Sequence, residues 1–423
     1  MQIIENNKIK EKLYVEKMDN GLTIMVLPKK TRKKYIVWSA NFGSIDNKFY
    51  APGEEILTVV PDGIAHYLEH KLFEQENGEN SLDVLSSLGV DANAYTTNNH
   101  TAYLFECTDN FYEGLDELMD YVQKPYFTDE NIDKERGIIE QEIMMYKDYP
   151  EWELYMNALE CMYNSHPIKI DVAGSIESIS HITKETLYTI YDNFYTPENS
   201  VIVVSGDFVP EDIIEEIKSR MVMKSSNKKV ERKYPEENKE IVQKEKSQNM
   251  DISIPMFMIG YKDFNFSENM VKKNLGIEIL LNYAYSRSSK VFNELYEKGK
   301  ILAEVSFNYE YADNYAHVLI QGQSDDVGYV VEELENVLED IKKNGFDLDR
   351  LESMKRKVYG ELVRDNYSTV SAISTGFVTD YFRNVNIFDY FEEFDSINEE
   401  YMMKLLNEVF DKNNKVLSVI NPN

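Results

Sequence analysis

Cysteine is scarce in this chain. Cys107 and Cys161 are the two present among 423 residues. Two cysteines cannot build a disulfide framework, and each is expected to be a small packed hydrophobe in a reducing compartment. Positive charge is in deficit too, with 45 Lys+Arg against 75 Asp+Glu and a formal net charge of -30. A phosphate backbone needs a basic surface, so no nucleic-acid role is expected. An acidic field favours neutral or basic partners instead. No run of about 18 apolar residues occurs, so no membrane span is expected. The first residues, MQIIENNKIKEKLYVEK, are charged and lack an apolar stretch. No signal peptide is therefore expected, and the location is read as cytoplasmic. What is present suits a globular protein. Hydrophobic residues make up 43% of the chain, enough for sizeable cores and too many for wholesale disorder.

A length of this order gives a prior of two to three domains at about 150 residues each. Residues 224–248, KSSNKKVERKYPEENKEIVQKEKSQ, break the pattern with Lys, Glu, Ser, Asn and Pro. That is the composition of a solvated linker. The expected division is 1–222, a charged linker at 223–249, and 250–423. Both sides show a similar order of events. YIVWSANFGS (35–44) reads as a strand, 63–74 as a helix, and TAYLFECTDN (101–110) as an alternating strand. FYEGLDELMDYVQ (111–123) and DENIDKERGIIEQEI (129–143) follow as helices. The second half offers IPMFMIGYKD (254–263), a helical stretch at 271–297, and NYAHVLIQGQSDD (314–326) as a strand. Helices are expected again at 327–343 and 346–362. Strand, helix, strand, helix, helix thus occurs twice, which points to a duplicated α+β domain.

The sharpest local signal is His66-Tyr67-Leu68-Glu69-His70. On a helix, residues four apart share a face, so His66 and His70 can aim two imidazoles at one ion. Zinc takes neutral imidazole nitrogens, and a catalytic site keeps a position open for water. Glu69 flanks that face, where a carboxylate can take a proton from the water. A third ligand must come from elsewhere. Glu135 and Glu142 lie two helical turns apart on one face of the 129–143 segment, whereas Glu140 lies well off it. An acidic pair is usually solvated, but two imidazoles without a carboxylate make a poor zinc site.

His-Tyr-Leu-Glu-His is the inverted zinc motif of the inverzincins. With GLTIMVLPKK (21–30), GIAHYLEHKLFE (63–74), DANAYTTNNHTAYLFEC (91–107), ERGIIEQEI (135–143), HPIKIDVAGSIESISHIT (166–183) and FYTPENSVIVVSGDF (194–208), the chain resembles the insulinase/pitrilysin family of zinc metallopeptidases over nearly its whole length. The resemblance implies two homologous α/β-roll domains, with mostly antiparallel sheets flanked by helices, that form a clam-like chamber. It implies one zinc per chain, held by His66, His70 and Glu142. Glu69 would be the general base and Glu135 a supporting carboxylate. Asn93, Ala94 and Tyr95, with Thr96, match the family's edge strand, which implies that a peptide substrate adds there through its main chain.

One segment departs from the family. Catalytic members carry an Arg and a Tyr seven residues apart in the second half, which hold substrate and steady the oxyanion. Here the segment from Leu295 to Glu304 has Tyr296 in place of the Arg, and Ala303 or Glu304 in place of the Tyr. This resembles the zinc-bearing subunit of the two-chain bacterial members, and so implies a homologous partner that carries the Arg/Tyr pair, or a homodimer. A substitute such as His317 is the rival expectation, although a lone strand histidine is more often packed. A non-catalytic structural or peptide-binding subunit is the alternative of another class. His100, His166 and His181 are expected to be structural.

Overall fold

The computed structural model describes residues 1–226, 229–266, 269–386 and 388–423, and residues 365–367 by their backbone alone. Residues 227 and 228 of the expected linker, and 267, 268 and 387 of the expected C-terminal domain, lie outside the described residues. The chain forms two compact units. One comprises Met1–Ile143, Ile170–Tyr234 and Val363–Ile387; the other comprises Met144–Lys169, Pro235–Leu362 and Phe388–Asn423.

The first unit is built on a seven-stranded sheet. Its order is Gln2–Asn6, Glu11–Lys17, Thr23–Pro28, Ser200–Gly206, Lys34–Ala40, Thr101–Cys107, Asp91–Thr96. Thr23–Pro28 and Ser200–Gly206 pair in parallel, and the other neighbours are antiparallel. The central strand SVIVVSG (Ser200–Gly206) is buried throughout, because the sheet is covered on both faces. Ile202 and Val204 join Ile36 and Trp38 in the main core. Helix Val370–Phe382 packs against Ser200–Gly206 and Lys34–Ala40, which covers the alternate residues.

The second unit repeats this scheme. Its five-stranded sheet runs Glu245–Met250, Lys415–Pro422, Met256–Asp263, Ala316–Gln323, Ser306–Tyr311. The first pair is parallel and the rest antiparallel, which matches the last five strands of the first sheet one for one. Helix Pro150–Met162 packs on Met256–Asp263 and Lys415–Pro422. Each unit therefore takes one helix from the other half of the sequence. The fold is α+β and duplicated, as the pattern indicated.

Two local readings are refined. The helical stretch expected at 271–297 is two helices, Met270–Tyr285 and Lys290–Glu297. Ser289 caps the second by accepting from Phe292 N–H, which makes the break a start signal. The polar stretch 224–248 carries structure. Glu231–Arg232 pairs with Phe49 and Tyr50, and Glu245–Met250 forms a sheet edge. Arg232 Nε donates to the buried Asp46 at 2.9 Å. Composition does not show this pairing, although most described residues of the stretch are exposed.

Candidate metal centre

Helix Ile64–Lys71 carries the histidine motif. It starts at Gly63, whose φ is +88°, and a Cβ there would lie 2.4 Å from Ala173 O. Gly174 has φ +76°, and a Cβ there would lie 2.6 Å from Asp62 O. Two glycines thus let the loop at 171–174 close onto the helix start, in a backbone region that L side chains rarely adopt. The helix is pinned on its other side by Tyr67, whose hydroxyl donates to Ile132 O at 2.5 Å. Ile132 belongs to helix Asp129–Lys147, which buries Ile132, Ile139 and Ile143. This fixes the face bearing Glu135 and Glu142 against the histidines.

The three ligand candidates converge. His66 Nε2 and His70 Nε2 lie 3.2 Å apart. Glu142 places Oε1 3.6 Å from His66 Nε2 and Oε2 3.7 Å from His70 Nε2. Among the described residues, His66, His70 and Glu142 are the group of His, Cys, Asp and Glu that could hold a metal ion. Tetrahedral bonds of about 2.0–2.2 Å put ligand atoms roughly 3.3–3.6 Å apart. The separations therefore fit zinc, as does the donor set of two imidazoles and one carboxylate. Burial, with His70 alongside, pushes His66 down to about 3, which leaves the neutral ring a metal needs.

The supporting groups are specific. Glu135 Oε1 lies 2.9 Å from His70 Nδ1, which orients that ring with Nε2 toward Glu142. Burial pushes Glu135 up, but the His70 hydrogen bond and the Lys71 ammonium outweigh it and hold the group below the ordinary carboxylate range. His70 is lowered by burial, yet its bond to Glu135 and the charges of Glu69, Glu135 and Glu142 leave it raised. Glu142 is raised, chiefly by burial, with Asp171 and Glu135 adding to it against His70. Glu69 is buried and does not join the ligand set. Burial raises it, although Thr96 Oγ1 donates to its Oε2 at 2.6 Å.

Thr96 ends the strand Asp91–Thr96, which is the open edge of the sheet. Successive side chains alternate in facing, so Ala94 lies on the face of Thr96 and Glu69. Asn93 and Tyr95 lie on the opposite face, and Tyr95 packs near His100, itself beside Phe382. Tyr296 is exposed and stacked on Phe292, Ala303 is exposed, and Glu304 pairs with Arg287. His317 is fully buried, with Nδ1 3.0 Å from the Tyr163 hydroxyl. His100 and His166 are buried and His181 is exposed. Thr96, Lys71 and Asp171 also lie beside the groups of this centre, and residue-type reasoning singled out neither Lys71 nor Asp171. Thr96 sat in the quoted edge strand, and Lys71 followed the motif directly.

Comparison with known proteins gives the family. Residues 60–175 match the family model "Insulinase (Peptidase family M16)", and residues 181–358 match "Peptidase M16 inactive domain". The chain is 36% identical to the uncharacterized zinc protease YmfH of Bacillus subtilis over 96% of its own length and 95% of that protein. A solved M16-like peptidase from Alicyclobacillus acidocaldarius superposes with a TM-score of 0.93 at 29% identity, covering 99% of this chain and 100% of that one. A protease from Helicobacter pylori, 19% identical, shares the fold with a TM-score of 0.81, over 97% of this chain and 100% of that one. The duplicated sheets, the converging His66, His70 and Glu142 and these matches place the chain in the insulinase family of peptidases.

Proposed function

We propose that this chain is a zinc-dependent endopeptidase that hydrolyses oligopeptides or a peptide precursor. The observation that carries the reading is the convergence of His66 Nε2, His70 Nε2 and a Glu142 oxygen, with the Glu69 carboxylate beside them. His66, His70 and Glu142 hold one zinc in this reading. Bound zinc supplies Lewis-acid polarisation of the scissile carbonyl and an acidified water. Glu69 takes the water's proton and returns it to the leaving amine. Thr96 occupies Glu69 Oε2, which leaves Oε1 for that proton. Glu135 holds His70 at Nδ1. The peptide adds to the edge strand at Asn93, Ala94 and Tyr95 by main-chain hydrogen bonds, so sequence is read second. The net charge of -30 favours neutral or basic peptides. Buried free thiols at Cys107 and Cys161 suit a cytoplasmic location.

We further propose that the chain acts as the zinc-bearing subunit of a heterodimer. Exposed Tyr296 and Ala303 supply no cationic donor where catalytic relatives have the clamp. A homologous chain with the Arg/Tyr pair would supply it. The same observation favours the second reading, a peptide-binding subunit that keeps zinc without turnover.

The test is hydrolysis of a mixed fluorogenic peptide library by the zinc-loaded protein, with Glu69→Gln as the blank. The peptidase reading expects turnover that Glu69→Gln loses, by about 10²–10⁴-fold, with zinc retained. Equal turnover by both proteins would contradict it. Enzymatic rates from an isolated monomer would remove the heterodimer. Zinc without turnover in the presence of the clamp-bearing chain would leave the binding subunit.

A further inference from the structure

Lys71 directly follows the second histidine, and its side chain is fully buried. An unpaired ammonium in such a place costs several kcal/mol, so it must have partners. Its Nζ lies 2.8 Å from Glu74 Oε2 and 3.5 Å from Glu135 Oε2. The other oxygen of Glu135 lies 2.9 Å from His70 Nδ1. One carboxylate is therefore stretched between the lysine and the histidine, with one oxygen for each.

We propose that Lys71 is a positioning residue for zinc: by holding Glu135 Oε2 it keeps Oε1 on the Nδ1–H of His70, and so keeps Nε2 turned to the ion. The inference rests on the zinc reading of His66, His70 and Glu142. Opposing effects compete in it. The ammonium repels a nearby cation, and on that ground alone its removal would tighten zinc. Glu74 sits closest to the ammonium, at 2.8 Å, and its charge offsets that repulsion in part. Removal also leaves Glu135 buried with one partner fewer, free to swing off His70. Partners beyond the ligands are each worth about 10–100-fold in metal affinity, so positioning wins.

The experiment is a zinc affinity measured by competition with a chromogenic chelator. The proteins are wild type, Lys71→Met, Lys71→Arg, Glu135→Gln, the Lys71→Met/Glu135→Gln double variant and His70→Ala, each shown folded by circular dichroism. Lys71→Met is expected to bind zinc about tenfold more weakly, and Lys71→Arg to stay within about threefold of wild type. Glu135→Gln is weakened as well, and the double variant is no weaker than Glu135→Gln alone, because both changes break one chain of contacts. Affinity in Lys71→Met equal to or tighter than wild type overturns the proposal, as does full additivity in the double variant. Should Lys71→Met not fold, Lys71→Gln, which can still bond Glu74, is read in the same way. A wild type that binds no more zinc than His70→Ala means that the zinc reading itself has failed. That outcome is distinct from a tight wild type with an unaffected Lys71→Met.

Discussion

Replacing Gly63 by alanine tests how the metal-bearing helix is seated. The added Cβ would meet Ala173 O at 2.4 Å and Ala173 C at 2.8 Å. Both are backbone atoms, so relief requires the loop at 171–174 to move. The φ of +88° adds strain of its own, about 1–2 kcal/mol for a residue with a Cβ. With overpacking of about 1–3 kcal/mol, the expected loss is about 3 kcal/mol. For a domain of this size that corresponds to roughly 6–12 °C in melting temperature. Gly174→Ala presses on the same contact from the other side, where its Cβ would meet Asp62 O at 2.6 Å. Once the loop has opened for one variant, the second meets less resistance, so the double variant should lose less than the sum of the singles. Differential scanning calorimetry of the zinc-free proteins gives all the values. Gly63→Ala melting within a degree or so of wild type would refute the reasoning, and so would strict additivity.

Other perturbations have equally definite outcomes. Thr96→Val removes the hydroxyl that holds Glu69 Oε2; hydrogen bonds to charged groups are worth about 1.5–3 kcal/mol. The zinc-free variant should lose stability by that order in urea titrations and Thr96→Ser should recover most of it, whereas equal loss in both would argue against the hydroxyl. Zinc affinity should fall as the pH is lowered. His70 is raised in the metal-free protein, so protons compete for its Nε2 below that raised value and release it above, and a pH-independent affinity by calorimetry would contradict this. Arg232→Met strands Asp46, which is buried and raised chiefly by that burial. Breaking a buried pair costs about 3–5 kcal/mol, to be read as a lower melting temperature and faster proteolysis at 224–248; an unchanged melt would mean that Tyr234 and Gly43 N–H suffice for the carboxylate.

Much of the fold was legible because its elements carry strong periods. Phe111–Gln123 has the helix spacing and appears with those bounds. Ala316–Gln323 falls inside the stretch that alternates. The histidine pair was legible because a helix makes i and i+4 neighbours, whereas Glu142 was named through the resemblance to the family. Other features were not legible for physical reasons. Helices Pro150–Met162 and Val370–Phe382 pack on the sheet of the opposite sequence half, and an amphipathic stripe does not say which sheet it meets. Lys71 reads as a surface residue by type, and only Glu74 and Glu135 explain its burial. Most described residues of the polar stretch 224–248 are exposed, as its composition indicates, but composition does not show Arg232 on Asp46. Among the described residues no helix is long and apolar enough to cross a membrane, in line with the hydropathy reading.

The central claim is that His66, His70 and Glu142 hold zinc, and X-ray absorption at the zinc edge tests it most directly. The account predicts two imidazole nitrogens and a carboxylate oxygen at about 2.0–2.2 Å, with a further light-atom ligand. This shell should be lost in His66→Ala and in Glu142→Ala. Sulfur at about 2.3 Å, or the same nitrogen-containing shell persisting in Glu142→Ala, would contradict it.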